Sequence, residues 1–330
     1  MTRPLRLGAL RLSLLATLAS LLVAGLALAL SGCGDSFAAP GVANSAQATE
    51  ALALLPGDAD VVGMVNLAAA RDSDALEAAL GGTGLGMVSG RGSEDFDAFV
   101  RMTGFSPAED LDRVYLAATE GPGGGEGRAA FVAYGRFDRD RIARYIADQD
   151  EAGEVEQTEI DGYPVYFAAE DEGPRPGVAF VSDRMVLAGD EATLRAMIGR
   201  IGATDATADA ELQALLDRVA YPDGAWFAAR GLDRMGPGNG AAAQAAEGVV
   251  VSMAFEDGGV PVRAFVVTRP DASEDDVADL IRGGVSTAKM GMKDEPATLD
   301  VLDGVEVEAQ DDGVAVQARL TSAFLASARD

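Results

Sequence analysis

The sequence predicts an α+β protein: two tandem repeats of mainly antiparallel sheet with helices packed on one face. Three observations lead there. Apolar and polar residues alternate in Val305-Glu306-Val307-Glu308-Ala309 and again in Val314 to Leu320, with Asp311-Asp312-Gly313 as the turn between them. That pattern belongs to strands with one buried and one wet face. Elsewhere the spacing is i, i+3, i+4, which turns Ile142, Tyr145 and Ile146 inward on one helix and Val277, Leu280 and Ile281 on another. Finally, the same order of elements recurs in the two halves of the chain.

Taken in chain order, Leu54-Leu55-Pro56-Gly57-Asp58-Ala59 introduces the apolar run Val61–Val65, and Ala220-Tyr221-Pro222-Asp223-Gly224-Ala225 introduces Trp226-Phe227-Ala228. The strand Ala130–Tyr134 precedes the first of the two helices, and Ala264–Val267 precedes the second. Ile160-Asp161-Gly162 followed by Val165 and Phe167 matches Leu302-Asp303-Gly304 followed by Val305 and Val307. Gly177–Phe180 then matches Gly313–Val316. Each half therefore reads as three strands, a helix, two strands and a helix, with helical insertions around Leu76–Leu80 and Phe96–Val100 in the first. Leu212, Leu215, Leu216 and Val219 form one apolar stripe on a connecting helix. The boundaries are a leader at 1–32, a tether at 33–50, a first repeat at 51–205 and a second at 206–330. No linker-like stretch separates the repeats beyond Gly199–Asp209, which predicts one composite body.

The leader carries the most specific motif. Arg3, Arg6 and Arg11 form a basic start, Leu12–Leu30 runs without charge, and Leu30-Ser31-Gly32-Cys33 closes it. This resembles the signal peptide and lipobox of bacterial lipoproteins. The resemblance implies diacylation of the Cys33 sulfur, cleavage just before Cys33 and export to the cell envelope. The family's sorting rule retains a protein on the inner membrane when aspartate follows the lipidated cysteine. Here Gly34 follows, which implies the outer membrane. The alternative is an uncleaved helical anchor, since the uncharged run is long enough to span a bilayer. Residues 34–50 are small and polar and read as a tether reaching about 20 Å as a random coil. The two-repeat layout behind a lipobox also resembles an uncharacterised family of exported bacterial proteins of unknown function.

Composition excludes much chemistry. The 330 residues hold no histidine and one cysteine, so neither a disulfide, nor a Cys/His zinc site, nor a His-based catalytic triad can be assembled. A net charge of −27 opposes nucleic-acid binding, which depends on clustered Lys and Arg. Only two of the 26 basic residues are lysines. The acids fall beside turns and at helix starts, such as Ser273-Glu274-Asp275-Asp276, where they favour the helix dipole. Their excess suits a solvated surface at high salt. Calcium binding is the rival, although no EF-hand loop occurs.

Ser286-Thr287-Ala288-Lys289 matches the Ser-x-x-Lys pattern of penicillin-binding proteins, in which lysine activates a serine nucleophile one helical turn away. The companion Ser-Asp-Asn and Lys-Thr-Gly motifs are absent. Gly81–Gly86 and Gly121–Gly125 lack both the Gly-x-Gly-x-x-Gly spacing and a following Gly-Lys-Ser/Thr, so they read as loops. Trp226 and Phe227 read as core. No cofactor and no metal is expected. The predicted role is a lipid-anchored, non-catalytic envelope protein, attached to the membrane through Cys33 and binding another envelope protein or ligand. The alternatives are a carrier of lipid or other apolar ligand, and a hydrolase using Ser286 and Lys289.

Overall fold

The computed structural model describes residues 41–42, 45–71, 73, 94–119, 127–150, 155–169, 173–203, 205, 208–232 and 240–327. Helix α1 (Ala46–Leu54) leads into β1 (Val61–Asn66), followed by α2 (Leu67–Arg71), α3 (Glu94–Thr103) and α4 (Pro107–Asp110). Strands β2 (Leu111–Thr119) and β3 (Arg128–Gly135) precede α5 (Arg139–Asp150). Two hairpins come next, β4 (Val155–Ile160) with β5 (Tyr163–Ala168), and β6 (Pro176–Ser182) with β7 (Met185–Asp190). Helices α6 (Glu191–Ile198) and α7 (Ala210–Leu216) then carry the chain across to β8 (Ala225–Arg230). After α8 (Gly240–Gln244) come β9 (Ala246–Met253), β10 (Gly259–Thr268), α9 (Glu274–Gly291), α10 (Pro296–Asp303), β11 (Glu306–Gln310), β12 (Gly313–Thr321) and α11 (Ser322–Ser327).

All twelve strands form one antiparallel sheet in the order β11-β12-β10-β9-β8-β1-β2-β3-β7-β6-β5-β4. The α+β class and the antiparallel sheet are as the sequence predicts. The halves meet where β1 pairs with β8, with Gly63 opposite Phe227 and Met64 opposite Trp226. These are the two strands with matching lead-in sequences. Outward from this seam the two sides run alike for four strands: β1, β2, β3, β7 on one and β8, β9, β10, β12 on the other.

The first half departs from expectation by having four strands after its helix instead of two. Ile160-Asp161-Gly162 is the turn of the added β4–β5 hairpin, with φ of 50° at Asp161 and 85° at Gly162, the positive pair that a two-residue hairpin needs. Leu302-Asp303-Gly304, which the sequence pairs with it, instead ends α10. By position β7 corresponds to β12, so the sequence match of β6 with β12 is one strand out of step.

The helices, expected on one face, lie on both. Val62, Met64, Tyr115, Leu187 and Trp226 face one core with α1, α6 and α7. The alternate residues Val65, Tyr166, Phe180 and Ala225 face a second core with α2 and α5. Ala229 continues that second face beneath α9, with Val249, Val262 and Val316. The physical reason lies in runs such as Tyr163–Phe167, which are apolar on both sides and require cover on both. Three times a phenylalanine lies over a cross-strand glycine. A Cβ at Gly63 would meet Phe227 at 2.3 Å, one at Gly177 would meet Phe167 at 2.4 Å, and one at Gly313 would meet Phe265 at 2.7 Å.

Two further expectations shift. Helix α1 begins at Ala46, Val42 is buried, and the Gly41 amide donates to Val219 O at 3.2 Å, so the chain joins the body before residue 50, the expected end of the tether. Leu280, expected inward, is 44% exposed. The buried arc of α9 is Val277, Ala278, Ile281 and Val285.

Candidate functional site

Several sequence candidates fall outside the described residues: Cys33 and the lipobox, the insertion around Leu76–Leu80, and both glycine-rich stretches, Gly81–Gly86 and Gly121–Gly125. Ser286 and Lys289 do lie on one helix, but they are not coupled. The Ser286 hydroxyl donates to Arg282 O at 2.9 Å, and Lys289 Nζ sits 3.1 Å from Asp303 Oδ1. Each group is engaged with a different partner, so the pair is not arranged for proton transfer from the serine to the lysine. Trp226 is fully buried in the core, as expected. Among the described residues no cluster of three His, Cys, Asp or Glu side chains could hold a metal ion, and no helix is long and apolar enough to cross a membrane.

The geometry shows a site that the sequence did not. Past β3 the chain turns through Arg136, Phe137 and Asp138 into α5. Asp138 caps this helix by accepting from the Arg141 amide at 3.0 Å. The start of α5 stands over β5 and β6 and leaves an open cleft of about 560 Å³. Its apolar lining is Phe137, Ala143, Pro164, Tyr166 and Phe180. Asp138, Arg139, Asp140 and Asp183 line its polar part.

Tyr166 is 6% exposed and packs edge-on against Phe180, with centroids 6.0 Å apart. Burial pushes the phenol pKa above its ordinary value, and the Arg139 charge opposes that shift. Tyr166 therefore stays a neutral hydroxyl at neutral pH, able to donate or accept. Three carboxylates against one guanidinium give the polar lining a negative balance. The lining suits a ligand with an apolar end against the rings and a cationic or hydrogen-bonding end towards the carboxylates. Sequence reasoning missed the cleft because its residues come from a β3–α5 connection and two separate hairpins, with no spacing motif to join them.

A smaller hollow of about 220 Å³ lies on the other face, lined by Asp217, Arg218, Val250, Arg263, Phe265 and Gln310 among others. Arg218 stacks 4.3 Å above the Phe265 ring and pairs with Asp312, and Arg263 lies 5.5 Å from the Tyr221 ring.

No protein-family model and no curated protein matches the sequence. The chain is similar in structure to TP0453. Crystal form III of that protein superposes with a TM-score of 0.53 at 9% identity, over 84% of this chain and 96% of that chain. Crystal form IV gives 0.49 at 8% identity, over 85% and 96%. At such low identity the likeness is one of fold: the same arrangement of sheet and helices, over nearly the whole of the other protein.

Proposed function

We propose that the chain is a lipid-anchored, non-catalytic protein of the bacterial cell envelope, whose body binds another envelope component. The observation that carries this is the uncharged run ending in Leu30-Ser31-Gly32-Cys33, with the only cysteine of the chain in the acceptor position. The body is compatible with that address. Gly41, eight residues after Cys33, already bonds to the folded core, so lipid on Cys33 would hold the body close to the bilayer. Two or three acyl chains supply the affinity, at about 0.8 kcal/mol per buried methylene. With Gly34 after the cysteine, the outer membrane is the favoured residence. Absence of catalysis is supported by the disposition of Ser286 and Lys289 in separate bonds. The α5 cleft is the favoured contact for the binding partner. On the opposite face of the sheet a ligand would meet a filled core, where Trp226, Leu187 and Leu216 are fully buried.

Intact-mass measurement of the native protein tests the anchor. A mature amino terminus at Cys33 carrying diacylglycerol is expected, and Cys33→Ala should abolish both the processing and the lipid. An unmodified sulfur or a retained leader in the native material overturns the proposal.

A further inference from the structure

Both lysines of the chain, Lys289 and Lys293, stand at the C-terminal end of α9. Between them lie Met290 and Met292, 70% and 39% exposed. Among the described residues the only other large apolar side chains so exposed are Leu280, on the same helix, and Met102. The segment Arg282–Lys293 holds three cations and no carboxylate, within a protein of net charge −27. The first turns of α9 carry Glu274, Asp275, Asp276 and Asp279, so the charge changes sign along one helix. Arg282 and Lys289 have exposed carboxylate partners, Asp279 and Asp303, and Asp294 and Glu295 follow the segment. Lys293 has no ion-pair partner among the described residues.

The direction of α9 follows from two contacts and the strand register. At its start Glu274 bonds to Thr268, the last residue of β10, at 3.2 Å. Midway, Arg282 donates to Val307 O at 2.8 Å. Val307 is level with Val316, and Val316 with Ala264, four residues back along β10. Eight helical residues advance about 12 Å and four strand residues about 13 Å, so α9 runs back along β10. Eight more residues bring Met290 level with Val260, at the beginning of that strand. The tether joins the body on the opposite face, level with the middle of that strand. Gly41 bonds to Val219, and the adjacent Ala220 amide donates to the Ser252 hydroxyl, whose residue is level with Arg263. Arg263 lies about 10 Å along β10 from Val260.

We infer that this end of the body is its membrane face, and that the α9 tip docks on an anionic lipid surface. Met290 and Met292 enter the boundary between headgroups and acyl chains. Lys293, with Lys289 and Arg282 behind it, meets lipid phosphates, the long stems letting the charges stay at the surface. The pattern fits a bilayer: two unbranched apolar side chains at a helix end form a convex knob flanked by cations, in a protein whose remaining charge is repelled by such a surface. The inference rests on the proposed anchor only for proximity. Eight residues of tether span at most about 28 Å, so the bilayer is the surface met at highest effective concentration.

The test uses the full chain as purified from membranes, with Met292→Cys carrying an environment-sensitive NBD label. The vesicles are phosphatidylcholine alone, or phosphatidylcholine mixed equally with phosphatidylglycerol. With the mixed vesicles the label should shift to the blue and be quenched by brominated lipid, and molar salt should reverse both changes. A label at Asp161→Cys, in the distant β4–β5 turn, should stay water-like. Lys289→Ala/Lys293→Ala should weaken the phosphatidylglycerol-dependent part by at least about fivefold, the factor for one basic residue near an anionic surface. Flotation with the vesicles and the mass of Cys33 report the anchor separately. Protein that floats with a water-exposed label at position 292 refutes the docking and leaves the anchor standing. Where Cys33 is unmodified, the label is read on Cys33→Ala/Met292→Cys protein, and a blue shift there supports the docking and removes the anchor. A blue shift without vesicles means self-association and overturns the inference, as does protein that neither floats nor changes emission.

Discussion

Two substitutions at Trp226 separate packing from hydrogen bonding at the seam between the halves. Trp226 has no exposed surface, lies between Met64 of β1 and Ser252 of β9, and meets the Tyr115 ring edge-on with centroids 6.5 Å apart. Its Nε1–H is buried without an acceptor among the described residues. Trp226→Ala removes the whole indole from close-packed surroundings and should cost about 3–5 kcal/mol. Trp226→Phe keeps most of the ring. It gives up about 40 Å² of apolar contact, worth about 1 kcal/mol at 25 cal/mol per Å². It also removes a buried donor whose lack of a partner costs about 1–3 kcal/mol. The two contributions oppose each other, so Trp226→Phe should lie within about 1–2 kcal/mol of the parent, on the stabilised side if the unpaired donor dominates. Guanidinium titration followed by far-UV circular dichroism reads the difference, because the substitution removes the only tryptophan of the chain and with it the fluorescence signal. If Trp226→Phe cost as much as Trp226→Ala, the unpaired N–H would not be a liability and the reasoning would fail.

Gly177→Ala should destabilise by about 1–3 kcal/mol, since the new Cβ meets Phe167, which is itself fully buried and cannot swing aside. Gly162→Ala meets nothing within 4 Å and carries only the strain of its positive φ, about 1 kcal/mol, so the reverse order of melting temperatures would contradict the packing argument. Asp209 caps α7 through the Leu212 amide, which together with Arg230 holds its carboxyl below the usual aspartate range. A depressed carboxyl stabilises above its unfolded pKa and loses that contribution as pH falls through its folded value. The advantage of the parent over Asp209→Ala, about 1 kcal/mol at neutral pH, should therefore shrink on acidification below about pH 4, as urea midpoints across pH would show. Finally, sodium chloride should raise the urea midpoint as the screening length drops from about 10 Å to about 3 Å. Calcium at matched ionic strength should add nothing, and a calcium-specific gain would favour cation binding over simple screening of the −27 charge.

The second half of the fold was the more legible, for a physical reason. β11 and β12 carry polar residues on one face, Glu306, Glu308, Gln317 and Arg319, so their alternation survives in the sequence although Gly313–Ala318 is buried throughout, and the Asp311-Asp312 turn separates them. In the first half β5 and β6 are covered on both sides. Tyr166 and Phe167 serve different cores, and the period-2 signal that would have counted the strands is lost. Leu280 shows the limit of helical periodicity. It satisfies i, i+3 with Val277, yet the sheet takes the arc through Val277, Ile281 and Val285 and leaves Leu280 outside. Cys33 can be proposed as a lipid acceptor from the sequence because its motif is contiguous. The α5 cleft was not, since Phe137, Tyr166 and Asp183 meet only through strand order.

The use of the two cationic residue types explains why the α9 tip stands apart. Arginine's planar fork holds two acceptors at once, and the body uses it to tie elements together. Arg175 bridges Glu156 and Glu191 while lying over Phe167, Arg71 donates to Ala108 O and Leu111 O, and Arg200 reaches Ala53 O. Glu191 is held below the usual glutamate range by Arg175 and Arg195 in consequence. A lysine is a single flexible point charge and makes a poorer brace. Both lysines are found flanking exposed methionines at one helix end, where Lys289 also pairs with Asp303 of α10. A cation just past the C-terminus of α9 suits the helix dipole, and Lys293, which has no ion-pair partner among the described residues, keeps its charge available for the anionic surface inferred above.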